Sequence, residues 1–323
     1  MEKLNRAIGG YFELELKKSR SYYPDAIRLN SARNALEYVL RVRQYSKVYI
    51  PYYTCDVILE PLIKLDIPFE FYHINKDLEP VFNYNKIGLK EGFLYNNYFG
   101  IKNLFIKHLS AKISNLIIDN AQSFFSTPLK GIDTFYSPRK FFGVSDGAYL
   151  SIDKELKDDF QQDTSHDRMS HLLIRADKNA EEGYADFGFN DSCLINEPIK
   201  KMSNLTHKLL CSINYDLVKR KRIENFNYLH DNLNKHNNLK IENFEENIPM
   251  VYPLWTKNLN LKKRLLDNQI YCATYWPNVT NWCDEGDIEL QLMTEIVNLP
   301  IDQRYSIDDM NHIINTLKKF EYA

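Results

Sequence analysis

The sequence predicts an α/β protein: a large domain built on a mostly parallel mixed sheet, with a smaller C-terminal α+β lobe. Three observations carry this. Between about residues 26 and 152, short apolar β-rich runs alternate with helix-length amphipathic segments, the pattern of a sheet covered on both faces. A long helical pattern then separates this part from a shorter mixed remainder. At 323 residues, 44% hydrophobic and 26% charged, the chain is long enough for a large core and a second lobe. The expected division is residues 1–200 for the large domain and 201–323 for the helix and small lobe.

In order, Ala26-Ile27-Arg28-Leu29 reads as a strand, and Asn30-Ser31 as the cap of a helix carrying Ala35, Leu36, Val39 and Leu40 on one face. Val48-Tyr49-Ile50 is a strand stopped by Pro51, and Thr54 to Leu65 a helix with Val57, Ile58, Leu62 and Leu65 aligned. Strands are predicted at Phe69–Tyr72, Phe93–Tyr95, Leu116–Ile118, Thr134–Tyr136 and Ala148–Ile152, with a helix over Asn103–Lys112. Residues 155–200 are polar and weakly periodic and read as a connecting segment or lid. From Met202 to His236 the spacing predicts one long helix through Leu205, Leu209, Ile213, Leu217 and Val218. Met250–Tyr252 and Ile270–Ala273 are predicted strands of the small lobe, which closes on a helix from Ser306 to Phe320. Ser306 with Asp309 three residues on forms its cap.

Charge and cysteine usage narrow the function. Net charge is −2, from 41 basic and 43 acidic residues, so nothing steers the chain toward nucleic acid or an anionic membrane. The run Lys219-Arg220-Lys221-Arg222 reads as a solvated helix face. Five scattered cysteines without a C-x-x-C pair fit a reducing compartment better than a disulfide or zinc framework. No apolar run approaches the ~18 residues of a membrane span, and no secretion-type apolar region follows Met1 to Arg6. The expectation is a cytoplasmic protein with no metal.

The sequence has no G-x-G-x-x-G, Walker loop, H-E-x-x-H or G-x-S-x-G. Ligands of such sheets sit beyond the carboxyl ends of strands. There the sequence offers one constellation: Asp119 after Leu116-Ile117-Ile118, and Lys140, twenty-one residues on, in Ser137-Pro138-Arg139-Lys140 before the return at Gly143 to Gly147. An acid at a strand end and a loop lysine are what a pyridoxal-phosphate (PLP) site requires, although the pair taken alone reads equally as a turn residue and a surface lysine. The lysine forms a Schiff base with the aldehyde, the acid pairs with the pyridinium nitrogen, and a helix start binds the phosphate.

Further segments add to this pair. Asn30-Ser31-Ala32-Arg33-Asn34-Ala35-Leu36 is similar to the S-G-T-x-A-L phosphate turn of the DegT/StrS family of PLP-dependent nucleotide-sugar aminotransferases. Ile50-Pro51-Tyr52-Tyr53-Thr54 resembles that family's V-P-x-x-T, and Asn97-Tyr98-Phe99-Gly100 its H-x-Y-G. Ile118-Asp119-Asn120-Ala121-Gln122 is similar to E-D-A-A-Q/H, and Lys140 with Ser145-Asp146-Gly147-Ala148 to K-x-x-x-x-G-E-G-G. Leu299-Pro300 before Ser306-Ile307-Asp308-Asp309 is like the family's closing segment.

The resemblance implies the PLP-dependent transferase fold of type I, a homodimer with sites completed across the interface, and amino transfer from an amino-acid donor to a nucleotide-linked keto-sugar, in bacterial surface-polysaccharide biosynthesis. Lys140 and Asp119 would be catalytic. The cofactor would be held by Ser31, Ala32, Arg33, Cys55, Asp119, Gln122, Ser137 and Lys140.

Departures accompany the likeness. Ala32 and Arg33 replace Gly and Thr, so the phosphate falls to the guanidinium. Cys55 stands where an aromatic usually stacks on the ring, and Ser137 where a His is common. The segment that reaches the neighbouring subunit survives only as Lys201-Met202-Ser203. The alternative they leave is a cofactor-free descendant that binds a sugar nucleotide or a partner enzyme without catalysis. Tyr275-Trp276-Pro277 lies near the family's substrate-facing segment, and Arg168 and Arg175 read as exposed arginines within reach of a substrate phosphate.

Overall fold

The computed structural model describes residues 8–241 and 247–320. Its first strand is β1 (Ile27–Leu29), and helix α1 (Ala32–Arg43) starts where the Ser31 hydroxyl accepts the Asn34 amide at 3.2 Å. The chain continues through β2 (Lys47–Pro51), α2 (Leu59–Lys64), β3 (Phe69–Ile74), the two-residue β4 (Pro80–Val81), β5 (Glu91–Asn96), α3 (Asn103–Ser110), β6 (Leu116–Asp119), β7 (Asp133–Tyr136) and β8 (Ala148–Ser151). These strands make one sheet in the order β1-β8-β7-β6-β5-β2-β3-β4. β7, β6, β5, β2 and β3 are parallel to one another, and β8 and β4 run against their neighbours.

Strand alternation divides the core between two faces. Val48, Ile50, Leu94, Ile117, Phe135 and Leu150 pack beneath α1 and α2, against Ala35, Leu36, Val39, Leu40 and Leu62. Tyr49, Phe93, Tyr95, Leu116, Ile118, Tyr136 and Tyr149 face the larger core shared with the C-terminal part. Every central strand therefore buries both faces, which is why it reads as a continuous apolar run.

The second half departs from expectation more than the first. Residues 155–200 contain two helices, α4 (Ser170–Asp177) and α5 (Tyr184–Ser192). Within them only His171 and Asn190 are buried, so neither presents the apolar stripe that would announce it. The long helix predicted from Met202 is two, α6 (Asn204–Leu210) and α7 (Tyr215–Leu233). The break falls at Asn214, whose side chain accepts the Leu217 amide and starts α7 anew.

Beyond these, β9 (Val251–Trp255), α8 (Leu261–Asp267), α9 (Ile288–Glu295), β10 (Ile296–Pro300) and α10 (Ile307–Lys319) complete the fold. Ile270–Ala273 is not a strand. β9 pairs antiparallel with β10, and the Ala273 carbonyl is held alongside by the Asn298 side chain at 2.9 Å. The Ser306–Asp309 capping box forms as predicted.

Candidate active site at the strand ends

The carboxyl ends of β2, β5, β6 and β7 bring the candidate residues to one edge of the sheet. Asp119 is the last residue of β6, in register with Asn96 of β5 and Phe135 of β7. One carboxylate oxygen accepts the Ala121 amide at 2.7 Å, an Asx turn that redirects the chain after the strand. Burial pushes the Asp119 carboxyl above its ordinary range, and the Lys140 ammonium and the Ala121 amide oppose the shift. The same ammonium acts on Cys55, whose thiol burial pushes up. Asp119, Lys140 and Cys55 thus share one electrostatic neighbourhood.

Lys140 follows β7 through a single turn of 3-10 helix, Pro138–Lys140, and its side chain is exposed. Its Nζ lies 5.9 Å from the centre of the Tyr275 ring. The following residues fix the turn: Phe141 and Phe142 both donate their amides to the Pro138 carbonyl at 2.9 Å and are buried against Phe124. The chain then returns through Gly147 at φ +115, where a side chain would meet Thr206, Met202 and Pro138 at 3.1–3.3 Å. Asp146 beside it is fully buried and accepts from the Ser203 amide and hydroxyl, each at 2.7 Å, and from the Thr206 hydroxyl. That ties the lysine loop to the start of α6.

Gln122 is buried, and its Oε1 accepts the Phe99 amide at 2.8 Å. Gly100, at φ +75, leaves no room for a side chain, because a Cβ would stand 2.9 Å from the Gln122 carbonyl. Among the described residues nothing pairs with Gln122 Nε2, nor with Tyr53 OH, Thr54 Oγ1 or Asn96 Oδ1. These four buried polar atoms stand on or just beyond adjoining strand ends. Tyr53 and Asn96 carry no signal in the sequence that marks them as site residues. The register pairs Asn96 with Asp119, whereas Asn97 meets Asp119 only through its backbone amide, which donates to the Asp119 carbonyl at 3.0 Å. Asn97 turns into a buried network with Asn103 at 2.7 Å and Asn120 at 2.9 Å.

The predicted phosphate residues lie apart in function. Ser31 caps α1 and donates to Asn34 Oδ1 at 2.5 Å. The first turn of α1 contains no acid, so its amide end keeps its partial positive charge, with Ala32 and Arg33 at the first two positions. The Arg33 guanidinium is engaged elsewhere, by Glu60 at 2.7 Å. Ser137 is buried just before the lysine turn, and its carbonyl accepts the Lys140 amide at 3.3 Å. Arg168 is not the exposed arginine the sequence predicts: it is buried and paired with Asp163 at 2.8 Å.

Aromatic residues gather beside the end of β2. Trp276 meets Tyr53 edge-on at 5.0 Å, Tyr53 stacks on Tyr98 at 5.6 Å, and Asn278 donates to the Thr54 carbonyl at 2.9 Å. Burial pushes the Tyr275 phenol up to about 12. This cluster reaches the lysine through Tyr275, whose ring centre lies 5.9 Å from Lys140 Nζ. No group of acids, histidines and cysteines among the described residues could hold a metal ion.

No protein-family model matches the chain, and no curated protein matches it in sequence. Solved structures do match in shape. NtdA from Bacillus subtilis, a structure with bound cofactor PMP, superposes with a TM-score of 0.64 at 14% identity over 91% of this chain and 72% of that one. A DegT DnrJ EryC1 StrS aminotransferase from Brucella abortus gives 0.59 at 15% identity, over 91% and 85%. The sugar aminotransferase CalS13 from Micromonospora echinospora gives 0.59 at 13%, over 92% and 87%. At these identities the likeness establishes the fold: the chain has the mixed α/β architecture of PLP-dependent aminotransferases.

Proposed function

We propose that the chain is a PLP-dependent aminotransferase that transfers an amino group from an amino-acid donor to a keto-sugar on a nucleotide carrier, in bacterial surface-polysaccharide synthesis. The observation that carries the reading is the placing of buried Asp119 at the end of β6 within the field of the Lys140 ammonium, on strand ends that also hold the partnerless Gln122, Thr54, Tyr53 and Asn96 atoms. An acid, a primary amine, neutral donors and an uncompensated helix N-terminus are the set that a phosphorylated pyridine aldehyde would satisfy.

When bound, PLP supplies an aldehyde that holds an amine and a ring that withdraws electrons from the carbon beside it. Lys140 would anchor that aldehyde and, once displaced by the donor, carry a proton on Nζ between the two carbons concerned. Asp119 would face the ring nitrogen, Gln122 Nε2 the ring hydroxyl, and the α1 amide end with Ser31 and Ser137 the phosphate. Arg33 would reach the phosphate only by sharing its guanidinium with Glu60. Cys55 would leave a small apolar place where a larger ring could stack. Tyr275, Trp276 and Tyr98 would shield the reacting atoms from water and offer ring faces to a sugar.

A homodimer is part of the reading. Tyr184, Phe187, Phe189 and Ile195 lie exposed in and beside α5, and Ile8, Tyr11 and Phe12 lie exposed at the other end of the chain. Large apolar side chains on two faces are what a second subunit would cover. A cytoplasmic setting is supported by five free cysteines. No helix of the described residues is long and apolar enough to cross a membrane.

The test is Lys140→Ala. With glutamate and PLP, the variant should lose amino transfer by about a thousandfold or more while keeping its fold. Near-normal transfer would overturn the assignment.

A further inference from the structure

The residue after Lys140 is held by the far end of the chain. The Phe141 carbonyl accepts Gln303 Nε2 at 2.8 Å, and Gln303 follows β10 in the C-terminal part. Gln303 Oε1 in turn accepts Arg222 Nε, on α7, at 3.1 Å. A glutamine amide can turn over and exchange its two ends, so something must fix which end faces Phe141. Arginine does so, because a guanidinium only donates: facing Gln303 it selects Oε1 and leaves Nε2 for the carbonyl.

Arg222 is placed for that task at considerable cost. It is 1% exposed, and the acid whose charge acts on it, Asp302, is engaged by Arg304 through two bonds of 2.7 and 2.8 Å. A buried cation with no carboxylate of its own must be satisfied by dipoles and ring faces. Here Nη1 donates to the Met250 and Pro249 carbonyls at 3.0 and 3.3 Å, and the guanidinium carbon lies 4.5 Å from the Phe141 ring centre. One side chain therefore touches the residues just before β9, the turn after β10 and the lysine loop.

We infer that Arg222 is a positioning residue that, through Gln303 and the Phe141 ring, fixes the loop carrying Lys140 to the C-terminal lobe. The consequence for catalysis rests on the reading of Lys140 as the cofactor's anchor. The latch itself belongs to the protein without cofactor and is measured there.

The experiment is amide hydrogen exchange at Phe141 and Phe142 in the full chain without PLP, for wild type, Gln303→Met and Gln303→Glu. Gln303→Glu keeps an acceptor for Arg222, and strengthens it by charge, but removes the donor to Phe141. Both variants should speed exchange at Phe141 and Phe142 by about tenfold or more while Leu94 and Tyr95 in β5 stay at the wild-type rate. Unchanged rates in both, an equal rise in β5, or a rise in Gln303→Met alone would overturn the latch.

With PLP added, the pH midpoint of the visible band should shift in Gln303→Met, which breaks both bonds of the latch and adds no charge near Lys140. An unmoved midpoint would overturn the link to Lys140. A wild-type chain that forms no band would instead overturn the proposed function, and the exchange comparison would still decide the latch.

Discussion

Gln122 accepts the Phe99 amide at 2.8 Å and leaves its own Nε2 without a partner. Phe99 sits at φ +55, a conformation that disfavours a bulky side chain, so this bond pins a strained turn. The same side chain thus holds its strand end in shape and presents a free donor to the site.

Replacing Gln122 by Leu should unfold the protein more easily, by about 1–3 kcal/mol, because a buried amide loses its acceptor. Chemical denaturation checks it. An unchanged midpoint would show that the turn does not depend on Gln122.

Asp119 gives a prediction with a pH sign. Its folded carboxyl titrates above the ordinary 3.8, chiefly through burial. The folded state therefore binds more protons than the unfolded one between those two values, and stability falls as pH rises through that window. Asp119→Asn removes the cost. Without PLP, the variant should melt higher than wild type at pH 7, with the gain shrinking as pH falls toward 3.8. It should also bind PLP more weakly, the exchange of stability for function expected of a site residue. Thermal melts across pH decide the first part; equal or lower melting at pH 7 would contradict it.

Phe124 lies fully buried beneath the lysine loop, 4.9 Å from Phe142 and 5.4 Å from Tyr22. Phe124→Ala should cost about 3–5 kcal/mol by leaving a cavity among aromatic rings. A loss below about 1 kcal/mol would mean that the cluster can collapse and that the loop is held elsewhere.

The legible parts of the fold are those whose burial leaves a pattern. β5, β6 and β7 are buried on both faces, so their apolar runs stood out, and Asp119 and Lys140 followed from where those runs stop. α4 and α5 were not legible, because exposed apolar residues such as Tyr184 and Phe187 break any simple stripe. β10 was hidden by its own polar residue, Asn298, which turns to the Ala273 carbonyl. In the site, Asn97 was the conspicuous residue of its motif, yet the strand register pairs Asn96 with Asp119. The partnerless atoms of Tyr53 and Thr54, and the Arg222–Gln303 contact across the chain, depend on tertiary neighbours that no local spacing records.

The central claim is that Lys140 carries PLP. The most direct measurement is the absorption spectrum of the purified chain with PLP, followed by borohydride reduction and peptide mapping. The expected result is a visible band that reduction fixes as a phosphopyridoxyl group on Lys140 alone. No band, or a label spread over surface lysines with Lys140 unmodified, would contradict it.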